Sequence, residues 1–143
     1  MKVEDIKKIL VVGAGTMGHG IAEVAAISGY QVYLSDISQD ILNNALEKIR
    51  WSLSKLQERG QIKESIEAIV SRIKPVVGLD KSVSDADFSI EASPERLDIK
   101  RQVFSKLDEL LPPHAILATN TSSLPITKIA EATRRPDKVV AMH

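Results

Sequence analysis

At 143 residues the chain has the length of one domain, and with 43% hydrophobic residues it can bury a core. Nineteen basic residues balance nineteen acidic ones, so no net field draws it to nucleic acid or to an anionic membrane. The absence of cysteine excludes a disulfide framework, a thiolate metal site and thiol nucleophile chemistry. No apolar stretch approaches the length of a membrane span, and residues 1–8 mix charges of both signs instead of forming a signal-peptide core. The expectation is a cytoplasmic protein with no membrane or nucleic-acid partner. Local basic pairs, Lys7-Lys8 and Arg134-Arg135, read as solvated surface.

The elements alternate short β-branched runs with helical periodicity, the pattern of a parallel α/β fold. Ile9-Leu10-Val11-Val12 is a continuous apolar run, as in a strand buried on both faces. A helix follows from about Met17 to Ser28, stopped by Gly29, and Gln31 to Ser35 forms a second strand ending at Asp36. Ser38 caps a long helix reaching about Arg59 and closed by Gly60. Its apolar stripe runs from Ile41 to Leu56 at helical spacing. Ile62, Ile66, Ile69, Val70 and Ile73 predict a second helix beside it, a helical pair long for a crossover between strands. Strands recur near Val76-Val77 and at Phe88 to Ile90. A helix runs from about Pro94 to Leu111, ended by Pro112-Pro113. Ala115 to Ala118 is a strand, Ile126 to Thr133 a short helix and Lys138 to Met142 a last strand. The fold class is α/β, a Rossmann dinucleotide-binding fold with a mainly parallel sheet and an extra long helical pair after the second strand.

Gly13-Ala14-Gly15-Thr16-Met17-Gly18 fits G-x-G-x-x-G. Gly13 allows a sharp turn after the strand, Gly15 keeps side chain away from a pyrophosphate, and Gly18 lets the helix lie close on the sheet. The first helical turn, with Thr16 and Met17, offers free N–H groups and partial positive charge to phosphates. Asp36 lies ~20 residues on, at the end of the next strand, where a carboxylate accepts from ribose hydroxyls and repels a 2′-phosphate, favouring NAD over NADP. With Ser38 as the cap, Asp36 is free for the ribose. Three scattered histidines without an i, i+4 pair make no metal site. His19 reads as a helix-surface residue and His114 as a solvated turn residue. One of Ser122 and Ser123 is expected to cap the turn that follows them.

The run from Gly13 to Ala22, Glu91-Ala92-Ser93-Pro94-Glu95, Thr119-Asn120-Thr121-Ser122-Ser123-Leu124 and the terminal His143 together resemble the NAD-binding domain of L-3-hydroxyacyl-CoA dehydrogenases, including bacterial-type 3-hydroxybutyryl-CoA dehydrogenases. The resemblance covers essentially the whole chain, and the Thr119 to Leu124 run is its most specific part. It implies NAD as cofactor and oxidation of a (3S)-3-hydroxyacyl-CoA to the 3-ketoacyl-CoA. It implies His143 as general base and Ser122 as its catalytic partner on the substrate oxygen. Asn120, Glu95 and Lys100 resemble cofactor contacts, whereas Lys100 and Glu95 by themselves read as surface charges. Ser52 falls where a family serine meets the CoA moiety, and Arg59 replaces a lysine there. The family pattern continues beyond this histidine into Phe-Phe-Asn-Pro, an orienting glutamate and a helical domain for substrate and dimerisation, none of which lies in residues 1–143. The resemblance therefore implies a cofactor-binding domain that binds NADH without turnover by itself, within an enzyme that is a homo-oligomer. Competing readings are a related dehydrogenase acting on the 3-hydroxyl of a sugar acid, and a stand-alone NAD-binding sensor module.

Overall fold

The computed structural model describes residues 2–142. Six strands form one parallel sheet: β1 (Lys8–Val12), β2 (Gln31–Asp36), β3 (Ile73–Val77), β4 (Phe88–Glu91), β5 (Ile116–Thr119) and β6 (Val139–Ala141). Their spatial order is β3-β2-β1-β4-β5-β6, and every neighbouring pair is parallel. This is the doubly wound Rossmann order, which reverses its direction of growth between β1 and β4 and opens a crevice outside the carboxyl ends of those strands.

β1 lies at the centre of this arrangement and is buried from Ile9 to Val12. Because side chains alternate across a strand, it feeds both cores. Ile9 and Val11 join Ala22 and Ala26 of α1 (Thr16–Ile27) and Leu42, Ile49 and Leu53 of α2 (Gln39–Glu58). Leu10 and Val12 join Phe104 and Leu107 of α4 (Leu97–Leu110) and Ile129 of α5 (Ile126–Ala130) on the opposite face. The continuous apolar run thus follows from a sheet covered on both sides. Among the described residues no helix is long and apolar enough to cross a membrane.

α2 starts where the sequence implies, with Ser38 Oγ accepting from Ile41 N at 3.2 Å. The second member of the expected helical pair is much shorter. α3 covers only Ile66–Val70, and Ile73 opens β3. Ser65 explains the late start: its hydroxyl accepts from Ala68 N at 3.1 Å while its own backbone is extended, which makes it an N-cap and not a helix interior. β3 is an edge strand, and this tolerates Pro75 opposite Leu34.

α4 begins at Leu97, three residues after the expected Pro94, because Arg96 is extended. Its other end explains Arg135. The guanidinium donates to Asp108 Oδ1 at 2.7 Å and to the carbonyls of Asp108, Leu111, Pro112 and Ala115. Arg135 is therefore no solvated charge: it satisfies carbonyls that the end of α4 leaves without helical partners. Arg135→Met is expected to lower stability by ~3 kcal/mol, since it leaves the largely buried Asp108 carboxylate with the Arg134 N–H but no counter-charge and takes a donor from several carbonyls. Urea denaturation checks this, and an unchanged midpoint would contradict it.

Candidate functional site

The turn between β1 and α1 sits at the crevice, and its three glycines face different constraints. Gly13 has φ +101°, and a Cβ there would lie 2.6 Å from Ala92 O, on the loop after β4. Gly18 is packed on the turn itself, where a Cβ would stand 1.6 Å from Gly13 O. At Gly15 a Cβ would meet nothing within 4 Å. Gly13 and Gly18 are thus required by the protein's own backbone, and Gly15 borders open space. Thr16 and Met17 open α1 beside it, and the N–H groups of this first turn have no intrahelical acceptor.

From Gly15 the crevice runs toward the end of β2 as a cleft of about 840 Å³, lined by Asp36, Ile37, Leu79, Ile99 and Val103 among others. Ile37 is 84% exposed. Asp36 holds this end together: Oδ2 accepts from Ala14 N at 2.7 Å and Oδ1 from Ile37 N at 2.6 Å. The carboxylate is therefore not idle, contrary to the simplest sequence reading. Each oxygen nevertheless has capacity for a further hydrogen bond. An open glycine, a helix N-terminus and an apolar cleft ending at a fixed carboxylate suit the pyrophosphate, adenine and ribose of a dinucleotide.

In the other direction the crevice continues past Ala92 and Ser93 into a cavity of about 370 Å³, lined by Met17, Glu95, Lys100, Asn120 and Ser122. Here the walls are polar and tightly bonded. Glu95 Oε1 accepts from Thr121 Oγ1 at 2.6 Å, and Oε2 accepts from Ser122 N at 3.2 Å and Ser122 Oγ at 3.4 Å. The turn after β5 is capped by Thr121 and by neither serine: Thr121 Oγ1 accepts from Leu124 N at 3.1 Å. Lys100 departs most from its surface reading. It is 1% exposed, with Nζ 2.6 Å from Glu91 Oε2, 3.1 Å from Ser93 O and 3.5 Å from Glu95 Oε1. With these three acceptors around its ammonium group, Lys100 reaches the cavity through Glu95 and has no free donor aimed at a ligand.

The remaining expected residues are dispersed. Ser52 Oγ donates to Glu23 Oε2 at 2.7 Å, bridging α2 to α1, and Arg59 is the exposed C-cap of α2. The glycine crevice does not include them. His19 is half-buried, with Nδ1 2.8 Å from Gly15 O. His114 is exposed and lies beside Asp87, at 3.1 Å. His143 lies outside the described residues. Met142 N donates to Thr119 O at 2.8 Å, so the end of β6 is tied to the start of the Asn120 to Ser122 loop.

Residues 8–143 match the family model for the 3-hydroxyacyl-CoA dehydrogenase, NAD binding domain. The chain belongs to this family. It is 41% identical over 140 residues to a probable 3-hydroxybutyryl-CoA dehydrogenase of Bacillus subtilis (strain 168), a match covering 97% of this chain and 48% of that protein. It is also 41% identical to the 3-hydroxyadipyl-CoA dehydrogenase of Escherichia coli (strain K12), across 97% of this chain and 29% of that one. The crystal structure of 3-hydroxybutyryl-CoA dehydrogenase from Escherichia coli K12 superimposes with a TM-score of 0.91 at 42% identity, over 96% of this chain and 29% of that one. The chain therefore spans about half the length of one curated relative and under a third of the other. As in the family at large, the cofactor is NAD.

Sequence reasoning missed the residues of this NAD-binding domain that carry no motif. Ile37, Leu79, Ile99 and Val103 reach one cleft from three separate segments, and only the folded sheet gathers them. Glu91 was legible as part of a motif, but its burial at 0% exposure was not.

The Thr121 hydroxyl, working against partial desolvation and aided by Ser122 N–H and the Lys100 charge, holds the Glu95 carboxyl at about 2, below its ordinary 4.5. Because the folded value is depressed, the contribution of ionised Glu95 is complete above the ordinary value and is lost as pH falls through about 2. Carboxyl NMR titration is expected to find Glu95 ionised well below its ordinary range. In Thr121→Val the titration should move up toward 4.5; a wild-type Glu95 titrating at its ordinary value would rule the arrangement out.

Proposed function

We propose that the chain is the cofactor-binding domain of an NAD-dependent dehydrogenase that interconverts (3S)-3-hydroxyacyl-CoA and 3-ketoacyl-CoA. The observation that carries this is the convergence of the glycine turn, the Asn120 to Ser122 loop and the end of β6 on one crevice. NAD, when bound, supplies the hydride acceptor. In our reading Gly13, Gly15, Thr16, Met17 and Gly18 receive its pyrophosphate on the N-terminus of α1, and Asp36 takes the adenosine ribose. Glu95 and Asn120 frame the nicotinamide end, with Lys100 behind Glu95.

Oxidising a secondary alcohol also requires a group that takes the hydroxyl proton, and an imidazole near neutral pKa suits the task. His143 follows directly on Met142, whose backbone is bonded beside the Asn120 to Ser122 loop. It is our general base, with Ser122 donating to the substrate oxygen. Glu95 orients that hydroxyl beforehand through a long 3.4 Å contact, loose enough to be exchanged for a substrate. Ser52 and Arg59, seven residues apart and hence two turns along one edge of α2, are assigned to the CoA moiety.

The length that relatives have beyond this match leaves room for a substrate and dimerisation domain, and we assign a homo-oligomeric enzyme on that basis. An apolar groove of about 510 Å³ beside the nicotinamide end, lined by Met17, Gly20, Ile21, Val24 and Met142, is where such a further domain would sit. The hydroxyacyl-CoA names of the relatives favour this reading over a sugar-acid dehydrogenase or a stand-alone sensor.

The 143-residue chain is expected to bind NADH, to bind NADPH at least ~tenfold more weakly because of Asp36, and to leave acetoacetyl-CoA unreduced. In an enzyme completed by the part its relatives carry, His143→Gln is expected to lower turnover of acetoacetyl-CoA by ~10³-fold with NADH affinity nearly intact. Retained turnover would remove His143 from the mechanism, and equal affinity for both nucleotides would remove Asp36 from the ribose.

A further inference from the structure

Glu91 closes β4 with its side chain fully buried, and its bonds run to the segments that frame the polar cavity. Oε1 accepts from Thr119 Oγ1 at 2.6 Å. Oε2 accepts from Ser93 N at 2.7 Å, from Lys100 Nζ at 2.6 Å and from Ser93 Oγ. Its backbone carbonyl accepts from Asn120 N at 2.9 Å.

Two arms lead from this carboxylate to the same loop. Through Thr119, whose Oγ1 in turn accepts from Thr121 N at 3.2 Å, Glu91 sets the backbone at the end of β5. Through Lys100 it reaches Glu95, which holds Thr121 Oγ1 and both donors of Ser122. A buried ion pair is a poor device for stability alone, because two apolar side chains of similar volume can pack at least as stably. An apolar pair would lack direction. Hydrogen bonds with fixed geometry orient the groups they join, and a fully satisfied buried network rigidifies its surroundings.

We propose that Glu91 is a positioning residue for the nicotinamide end of the cofactor, acting through Thr119 and through Lys100 and Glu95 to fix the loop from Asn120 to Ser122. This rests on the reading that the polar cavity receives the nicotinamide ribose. The end assigned to adenosine is built separately, by Asp36 on the Ala14 and Ile37 N–H groups, and among the described residues the Glu91 network has no hydrogen bond to it. The network thus governs one half of the dinucleotide and leaves the other alone.

The test compares NADH with ADP, which has the adenosine half and neither the nicotinamide nor its ribose, by calorimetry on the 143-residue chain. The quantity read is the advantage of NADH, the ratio of the two dissociation constants. Glu91→Gln leaves Lys100 short of a counter-charge in a buried site, so it is paired with the double variant Glu91→Gln, Lys100→Met, in which no buried unpaired charge remains and the exposed Glu95 keeps its Thr121 and Ser122 donors. The double variant is expected to bind ADP within about twofold of wild type, as for a site with no shared hydrogen-bond network, and to lose ~tenfold of the NADH advantage, the equivalent of one charged hydrogen bond. Thr119→Val cuts the other arm without altering charge and is expected to lose part of the same advantage. If the double variant keeps the full advantage, or if both ligands weaken equally, the pair is only structural and the proposal is overturned. If the wild-type chain binds NADH no more tightly than ADP, the reading of the cavity falls, and the proposal with it.

Discussion

The approach of α1 to its own preceding turn constrains everything else at the crevice. With no room for a Cβ between Gly18 and the Gly13 carbonyl, the helix can only start where the turn directs it, its N-terminus over the reversal point of the sheet. Gly13 is then pressed against the Ala92 backbone, which fixes the loop after β4 relative to the turn after β1. The partial positive charge of the helix end and the position of the β4 loop follow from one steric fact. Gly15, the glycine that the protein itself does not need, is left facing open space.

The two ends of the crevice are built on different principles. Toward β2 the walls are apolar and much of their surface is exposed, and one carboxylate fixed by two backbone N–H groups provides direction. Toward β5 the walls are polar and already bonded to one another, with a buried lysine between two glutamates. Burial makes the Lys100–Glu91 pair stiff, since an ammonium group or carboxylate there cannot exchange a protein partner for water at low cost. An adaptable apolar cleft suits a flat base that needs little beyond contact. A stiff polar cavity suits the half of a dinucleotide where a ring face must be presented at a defined angle to a second reactant.

How much of this was legible in the sequence depended on whether a function was carried by a local pattern. The Gly13 to Gly18 motif and the Ser38 cap are local patterns, and the carboxylate at the end of β2 stands at a set distance along the chain from that motif, so their positions follow from spacing. Lys100 did not, because nothing adjacent to a lysine on a helix tells whether its head group meets water or Glu91. Arg135 escapes a local reading for the same reason: its carbonyl acceptors lie twenty to twenty-seven residues earlier, in the last turn of α4 and just beyond it. The overlong second helix after α2 had a different cause. Ile62, Ile66, Ile69, Val70 and Ile73 fit a helical period, yet a short apolar run serves a strand equally well, and Ser65 as an N-cap decided between them.

One consequence of the topology ties these features together. In a parallel sheet all carboxyl ends lie on one side, so a residue at the end of any strand can reach a common crevice. Gly13 follows β1, Asp36 ends β2, Glu91 ends β4, the Asn120 loop follows β5 and Met142 follows β6. The amino ends carry polar groups as well, among them Lys8 and Tyr33 on Asp85 and His114 beside Asp87, but there they tie neighbouring segments together at the exposed surface. The same strands that bury the core therefore separate two duties by direction alone. This is why the network around Glu91 can be rigid without stiffening the apolar cleft: both lie at the carboxyl ends of the strands and share a loop, but among the described residues no hydrogen bond joins the Glu91 cluster to the Asp36 end.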